Sequence, residues 1–408
     1  MKPGVKTGAG GGTLRKLLAV TLPVCIVASL VFAAAVEIWV RATWNPKRGT
    51  PGLFLTDAVR GQRFAANYDG WFAGVPVHIN NLGFRDPRDY TLAKKPNTFR
   101  IVFLGDSVTF GHSSVYEHTY PYLLEQRLKQ WRPDVDWQVW NLGVPGYNTS
   151  QELSHLEEVG PQFAPDLVIV GFFENDLVDN RDPGRPGMVK RAAARTISVA
   201  QRHIYSFDLY KKVFLRLAWT VSASDAYKRR LASIADDEKL LATVEDASLL
   251  KQQAITDFDR LTDEQLRGTC LNPPAPSHAL IDAVQHQDGY DEWLRAVRGF
   301  QQLNRSGRYR IVFFLNVPPP QCPATDEVFY DEGETSLNTF FTKIMSDGTT
   351  VVSVHDALLH VRPSQMPGIK GHSIGNSNVV KADALFDYLR NALNAVPSAA
   401  ATKTNIRG

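Results

Sequence analysis

The segment Ile101-Val102-Phe103-Leu104-Gly105-Asp106-Ser107 constrains this chain most: a continuous apolar run stops abruptly at Gly-Asp-Ser. Four consecutive apolar residues flanked by turn formers read as a strand buried on both faces, which is the signature of a parallel sheet covered by helices. The break supplies a tight turn at the strand's carboxyl end, where open α/β folds place ligands. Ser107 is thus a candidate functional hydroxyl, and Asp106 is read as a brace that accepts backbone N–H groups of the turn.

The same rhythm recurs. Strands are predicted at 99–104, 136–141, 167–173, 309–317 and 350–354. Helical spacing connects them, first through Tyr120, Leu124, Leu128 and Trp131, then through Leu153, Leu156 and Val159. Further helices are expected near 336–346 and 378–394, the last with Ala382, Leu385, Leu389 and Ala392 on one face. This βα alternation predicts an α/β fold, a three-layer sandwich around a mostly parallel, flavodoxin-like sheet. Between the third and fourth strands the rhythm gives way to helical stretches at about 190–219, 225–234, 238–266 and 285–304. Residues 183–285 are read as a helical insertion in one domain spanning 98–394, which shapes the mouth of a pocket because it begins just after the third strand. The Gly-, Pro- and Asn-rich lead-in 42–97 is expected to pack on the domain without long regular elements, and the tail 395–408 to be disordered.

The N-terminus has a separate character. Leu17 to Val36 is uncharged and about long enough to cross a bilayer. It follows Lys2, Lys6, Arg15 and Lys16 with no acidic residue, which leaves residues 1–16 in the cytoplasm and carries the rest across. A cleaved signal peptide competes, because Ala33-Ala34-Ala35 offers a small-residue cleavage site. The length of the run and the following Glu37-Ile38-Trp39-Val40-Arg41 favour an uncleaved anchor over 17–37. The expected location is therefore the inner membrane, single-pass, with the main domain on the periplasmic side. The net charge of +3 is small and dispersed, and no Lys/Arg run tracks phosphates, so nucleic acid is not an expected partner. Of three cysteines, Cys270 and Cys322 lie in Pro-rich loops, where an oxidising compartment pairs them or leaves two unrelated thiols. No metal or cofactor motif is present.

Three later segments complete a constellation at predicted strand ends. Gly146 lies in Asn141-Leu142-Gly143-Val144-Pro145-Gly146, Asn175 in Glu174-Asn175-Asp176, and His372 shortly before the last helix. With Gly105-Asp106-Ser107 these blocks resemble the SGNH/GDSL hydrolase superfamily, in order and in spacing, over about 98–182 and 309–394. The Asn80-Asn81-Leu82-Gly83-Phe84-Arg85 run and the anchor resemble its bacterial envelope branch, associated with exopolysaccharide or lipid modification. The resemblance implies a serine esterase without a cofactor. Ser107 would be the nucleophile and His372 the general base, and the Ser107 N–H, the Gly146 N–H and the Asn175 amide would form the oxyanion hole. The implied substrate is an O-acylated envelope carbohydrate or lipid, with envelope polysaccharide machinery as the implied partner. O-acyl transfer, or a silent carbohydrate-binding scaffold, is the alternative. One departure stands out: the family's last block carries Asp two or three residues before the His, and Lys370 and Ile369 stand there instead. A Ser–His dyad, a carboxylate from elsewhere with Asp356 as the candidate, or weakened hydrolysis would follow. His112, His355 and His360 compete with His372 as the base.

Overall fold

Five strands carry the apolar runs, and their pairing sets the architecture of the domain. The computed structural model describes residues 17–45, 49–177, 186–207, 209–210, 213, 277–322, 326–328, 336–366, 368–369 and 372–394. In chain order, helix α1 (Leu22–Thr43) precedes two hairpins, β1 (Phe54–Asp57) with β2 (Gly61–Phe64), and β3 (Tyr68–Phe72) with β4 (Val75–Ile79). Then follow β5 (Thr98–Gly105), α2 (Ser107–Phe110), α3 (Tyr120–Trp131), β6 (Asp136–Asn141), α4 (Thr149–Phe163) and β7 (Leu167–Phe172). After α5 (Met188–His203), α6 (Ser277–Gln285) and α7 (Tyr290–Arg305) come β8 (Ile311–Leu315), β9 (Gln321–Cys322) and β10 (Glu327–Val328). Helix α8 (Leu337–Met345), β11 (Thr350–Ser353), α9 (His355–Leu358), β12 (Gly368–Ile369), β13 (His372–Ser373) and α10 (Asn376–Asn394) complete the chain.

The main sheet has the order β11-β8-β7-β5-β6, and every neighbouring pair is parallel. This is the flavodoxin-like order expected from the sequence, with its switch point between β5 and β7, where the chain turns from one side of the sheet to the other. Alternation along the strands separates two cores. Val102, Leu104, Val168, Val170, Phe313 and Leu315 face Leu156, Trp293, Phe300 and Phe341, which belong to α4, α7 and α8. Ile101, Phe103, Ile169, Val312 and Phe314 face Tyr120, Leu124, Leu128, Leu385 and Leu389 of α3 and α10. Three layers result.

The lead-in is more regular than the sequence suggested. Its two hairpins form a third core in which Leu55, Phe64, Val75, Val77 and Ile79 pack with Phe110, Val115, Val144, Tyr147 and Ile374. The physical reason lies in period-2 burial from Val75 to Ile79 and a tight turn at Ala73 (φ 51°) and Gly74 (φ 79°), which share the left-handed conformation that primed hairpin turns require. The lead-in therefore supplies packing surface directly beneath the turn that follows β5.

The helical stretch Ala19–Thr43, which includes α1, is apolar enough to cross a membrane, with mean hydropathy 2.5 and an exposed apolar window; Val40 near its end is buried. A signal sequence meets the same criterion. The far end of α1 docks at the carboxyl end of α5: Glu37 accepts the Tyr205 N–H (3.0 Å), the Ser206 N–H (2.8 Å) and the Ser206 hydroxyl (2.7 Å), while Arg41 donates to the His203 carbonyl (2.7 Å). The helix expected at 190–219 is interrupted after His203, where Ile204 is extended, and residues 205–207, 209–210 and 213 are helical again. Helix α5 packs on β1, where Gln201 accepts the Thr56 N–H (2.7 Å) and the Ser198 hydroxyl donates to the Thr56 carbonyl (2.7 Å). The helices expected at 225–234 and 238–266, and the tail, lie outside the described residues. Cys322 is disulfide-bonded and Cys25 is free; Cys270, read from sequence as either its partner or an unrelated thiol, lies outside the described residues.

Candidate active site

The turn after β5 is held by packing and capping together. A side chain at Gly105 would collide with the Thr109 hydroxyl, so only glycine lets the strand run this close to α2. Asp106, fully buried, caps α2: its Oδ1 accepts the Val108 N–H at 2.8 Å, and its Oδ2 lies 3.4 Å from Ser107 Oγ. The brace expected from sequence is thus present. Ser107 opens α2 at the carboxyl end of β5, next to the middle strand β7 of the sheet.

The Gly146 loop is tied to this turn from two sides. The Val144 N–H donates to the Gly105 carbonyl at 2.9 Å, and Asn141 Nδ2 donates to the Thr109 carbonyl at 2.8 Å. A Cβ at Gly143 would lie 2.5 Å from the Phe110 nitrogen, which explains glycine at that point. Gly146 itself has φ 79°, in the left-handed region, and is exposed. Gln62 of β2 donates to the Pro145 carbonyl at 2.6 Å beside it. Asn148 then starts α4 with a capping box, accepting the Gln151 N–H at 3.1 Å while Gln151 accepts the Asn148 N–H at 3.0 Å.

Asn175 lies in the single turn Glu174–Leu177 that follows β7. Since Gly171 is the register partner of Gly105, that turn leaves the sheet at the same end as Ser107. The Asn175 side chain lies outside the described groups. His372 stands in the short β12–β13 hairpin, with its Nε2 2.8 Å from Ser107 Oγ. Two residues 265 positions apart are therefore joined by one hydrogen bond. Around them, Lys381 Nζ donates to Ser373 Oγ at 2.6 Å, and Asn378 Nδ2 donates to the Ser373 carbonyl at 3.2 Å. Burial lowers the Lys381 ammonium to a pKa of about 8.

Asp356 is not brought to this site. Its carboxylate pairs with His355 Nδ1 at 3.2 Å and is 91% exposed, because α9 begins at His355 and turns the next side chain outward. The expectation that Asp356 orients His372 is corrected accordingly. His360 borders a surface groove with Asp326 and Arg362. His112, weighed as a rival base, does reach the site, but as a neighbour of His372: the two rings stack with centroids 4.0 Å apart and planes at 21°.

Two features of the site were not assigned from sequence. Arg85, fully buried, donates to the carbonyls of Phe110 (2.8 Å), Gly111 (2.8 Å) and Ser114 (2.6 Å), and so fixes the loop that carries His112. Burial lowers its pKa to about 10, which leaves it charged at neutral pH. The Asn80–Arg85 run was the available signal. It forms a turn in which Asn80 Oδ1 accepts the N–H groups of Leu82 (3.0 Å) and Phe84 (3.2 Å), delivering Arg85 inward. The second feature is a set of acids behind the turn. Burial, reinforced by neighbouring carboxylates, pushes Glu152 and Asp176 well above the usual carboxylate range. Among the described residues, no group of three or more His, Cys, Asp or Glu side chains is arranged to hold a metal ion.

Residues 103–365 match the GDSL-like lipase/acylhydrolase family, a span that contains Ser107, Gly146 and Asn175 and ends before His372. No curated protein matches the chain. Similar solved structures include the lipase Lip_vut3 from a goat rumen metagenome, at 13% identity and TM-score 0.36, covering 71% of this chain and 96% of that one. A catalytic mutant of Axe2, an acetylxylan esterase from Geobacillus stearothermophilus, is similar at 11% identity and TM-score 0.36, covering 72% of this chain and 93% of its own. The psychrotrophic esterase EstA from Pseudoalteromonas sp. is similar at 11% identity and TM-score 0.35, covering 73% of this chain and 99% of that one.

Proposed function

Since the chain belongs to the GDSL-like lipase/acylhydrolase family, and is a hydrolase acting on ester bonds, we propose that its nucleophile is Ser107 and its general base His372. The observation that carries this reading is the 2.8 Å contact between Ser107 Oγ and His372 Nε2, at the carboxyl end of the sheet beside its switch point. With the ring proton on Nδ1, Nε2 accepts the hydroxyl proton as Oγ bonds to the substrate carbonyl carbon, and the carbonyl oxygen becomes the oxyanion. The Ser107 N–H, the Gly146 N–H and the Asn175 amide receive that charge. Collapse breaks the bond to the leaving alcohol, which takes the proton from His372 and leaves an acyl-serine. Water, deprotonated by the same imidazole, then releases the acid and restores Ser107.

The substrate class follows from the setting. Helix α1 holds the domain at the inner membrane on the periplasmic side, where an O-acylated envelope carbohydrate or lipid is within reach. The test uses the full chain in detergent with p-nitrophenyl acetate and a fluorophosphonate probe. Ser107→Ala and His372→Ala are each expected to lose about a thousandfold or more in kcat, and the probe is expected to label wild type but not Ser107→Ala. Wild-type turnover in Ser107→Ala would refute the assignment. Acid released from an acetylated polysaccharide, compared with release from lipid, then identifies the substrate class.

A further inference from the structure

The ring stacked on His372 has a role that the nucleophile and base leave open. His112 is held on every side: its Nδ1 contacts Ser113 Oγ at 3.0 Å, the Phe72 ring meets it edge-on with centroids 5.3 Å apart, and Arg85 binds the carbonyls on both sides of it in the chain. His372 lies on the remaining face, at 4.0 Å and nearly parallel. A parallel ring at this distance restricts rotation of the His372 imidazole without competing for its nitrogens. It also presents an aromatic face to a ring that becomes cationic when it takes the Ser107 proton.

We propose that His112 is a positioning residue for His372: as a neutral ring it fixes the orientation of the base toward Ser107 Oγ and stabilises the imidazolium formed during acylation. This rests on the assignment of Ser107 and His372 made above. The charges facing His112 agree with a neutral ring. Arg85 comes from the lead-in, His372 from the β12–β13 hairpin with Lys381 behind it on α10, and the buried acid of the neighbouring turn, Asp106, is engaged with Val108 and Ser107. Burial first, then His372 and Arg85, hold the His112 pKa well below its ordinary value. A second cation in the stack would oppose the imidazolium, so neutrality is what the role requires.

The experiment compares His112→Phe and His112→Leu in the full chain in detergent, reading kcat, KM and the acid limb of the pH profile with p-nitrophenyl acetate. Phenylalanine keeps the stacked face and leucine keeps only bulk. His112→Phe is expected to stay within about threefold of wild-type kcat, whereas His112→Leu falls about tenfold with KM unchanged, and its acid limb moves down by about half a pH unit or more. Phe and Leu variants with the same kcat and the same limb would overturn the proposal, whether both match wild type or both are equally impaired. If neither variant folds, Ser113→Ala, which frees the His112 ring, is read instead; a smaller kcat loss with unchanged KM supports the role, and wild-type kinetics overturn it. Activity retained by Ser107→Ala signals instead that the underlying serine-base assignment has failed.

Discussion

Arg85 links the lead-in to the site, and replacing it with methionine tests that link quantitatively. The side chain donates to three carbonyls, and their fates differ. The Phe110 carbonyl keeps a longer bond from Asn141 Nδ2 at 3.4 Å, and the Gly111 carbonyl keeps the Ser114 N–H at 3.0 Å. The Ser114 carbonyl loses its donor. One orphaned buried acceptor costs about 1–3 kcal/mol, and two lost bonds from a charged donor add about 1–2 kcal/mol each. The loss of contact with the Phe110 ring, 4.5 Å from the guanidinium, adds to this. Against these stands the relief of burying a cation that has no ion-pair partner among the described residues, since burial is what lowers the Arg85 pKa. The balance is a destabilisation of about 3 kcal/mol. Thermal unfolding of the full chain in detergent, followed by near-ultraviolet circular dichroism, should show a Tm lower by several degrees. Ester turnover should fall further than stability alone explains, because the 110–114 loop carries His112. An Arg85→Met protein with wild-type Tm and wild-type kcat would refute the account of this residue as the clasp of the loop.

Other outcomes follow from buried charge and close packing. Glu152 has a carboxyl with no hydrogen-bond partner among the described residues and a pKa raised by burial, so its stabilising contribution is complete below pH 4.5 and is lost as pH rises through the native value, at up to about 1.4 kcal/mol per unit. Glu152→Gln should flatten that decline in denaturant titrations run from pH 4 to 9; an unchanged slope would contradict the assignment. Lys381 has the opposite sign: its pKa of about 8 against 10.5 when unfolded means that stability rises between those values, by about 3 kcal/mol in all. Lys381→Met should lack the rise, and because Ser373 loses its donor, kcat should drop several-fold; a persistent rise would show that another group titrates there. Gly105→Ala must displace Thr109 and should leave ester hydrolysis below about 1% of wild type, so near-normal turnover would disprove the close-packed turn.

The parallel sheet was legible because its signals are local. Strands β5, β7 and β8 are runs of buried apolar residues, the long helices show their own period, and Gly105-Asp106-Ser107 marks a strand end by composition alone. The Val75, Val77 and Ile79 alternation was equally local, yet the Gly- and Pro-rich setting concealed it, and the lead-in hairpins were missed. Asp356 illustrates a different limit. A position just past a strand end predicts proximity to the carboxyl edge, but the direction of one side chain depends on the first turn of α9, which sends it to solvent.

The layers, the strand polarity and the candidate serine follow from periodicity and turn chemistry within about ten residues. What surrounds that serine is set by contacts between distant segments. The 2.8 Å contact to His372, the His112 ring stacked beneath it and the Arg85 clasp on the 110–114 loop join segments separated by 25 to 265 positions. Such contacts are selected by packing and by satisfaction of buried polar groups across the whole core, and no local pattern encodes them.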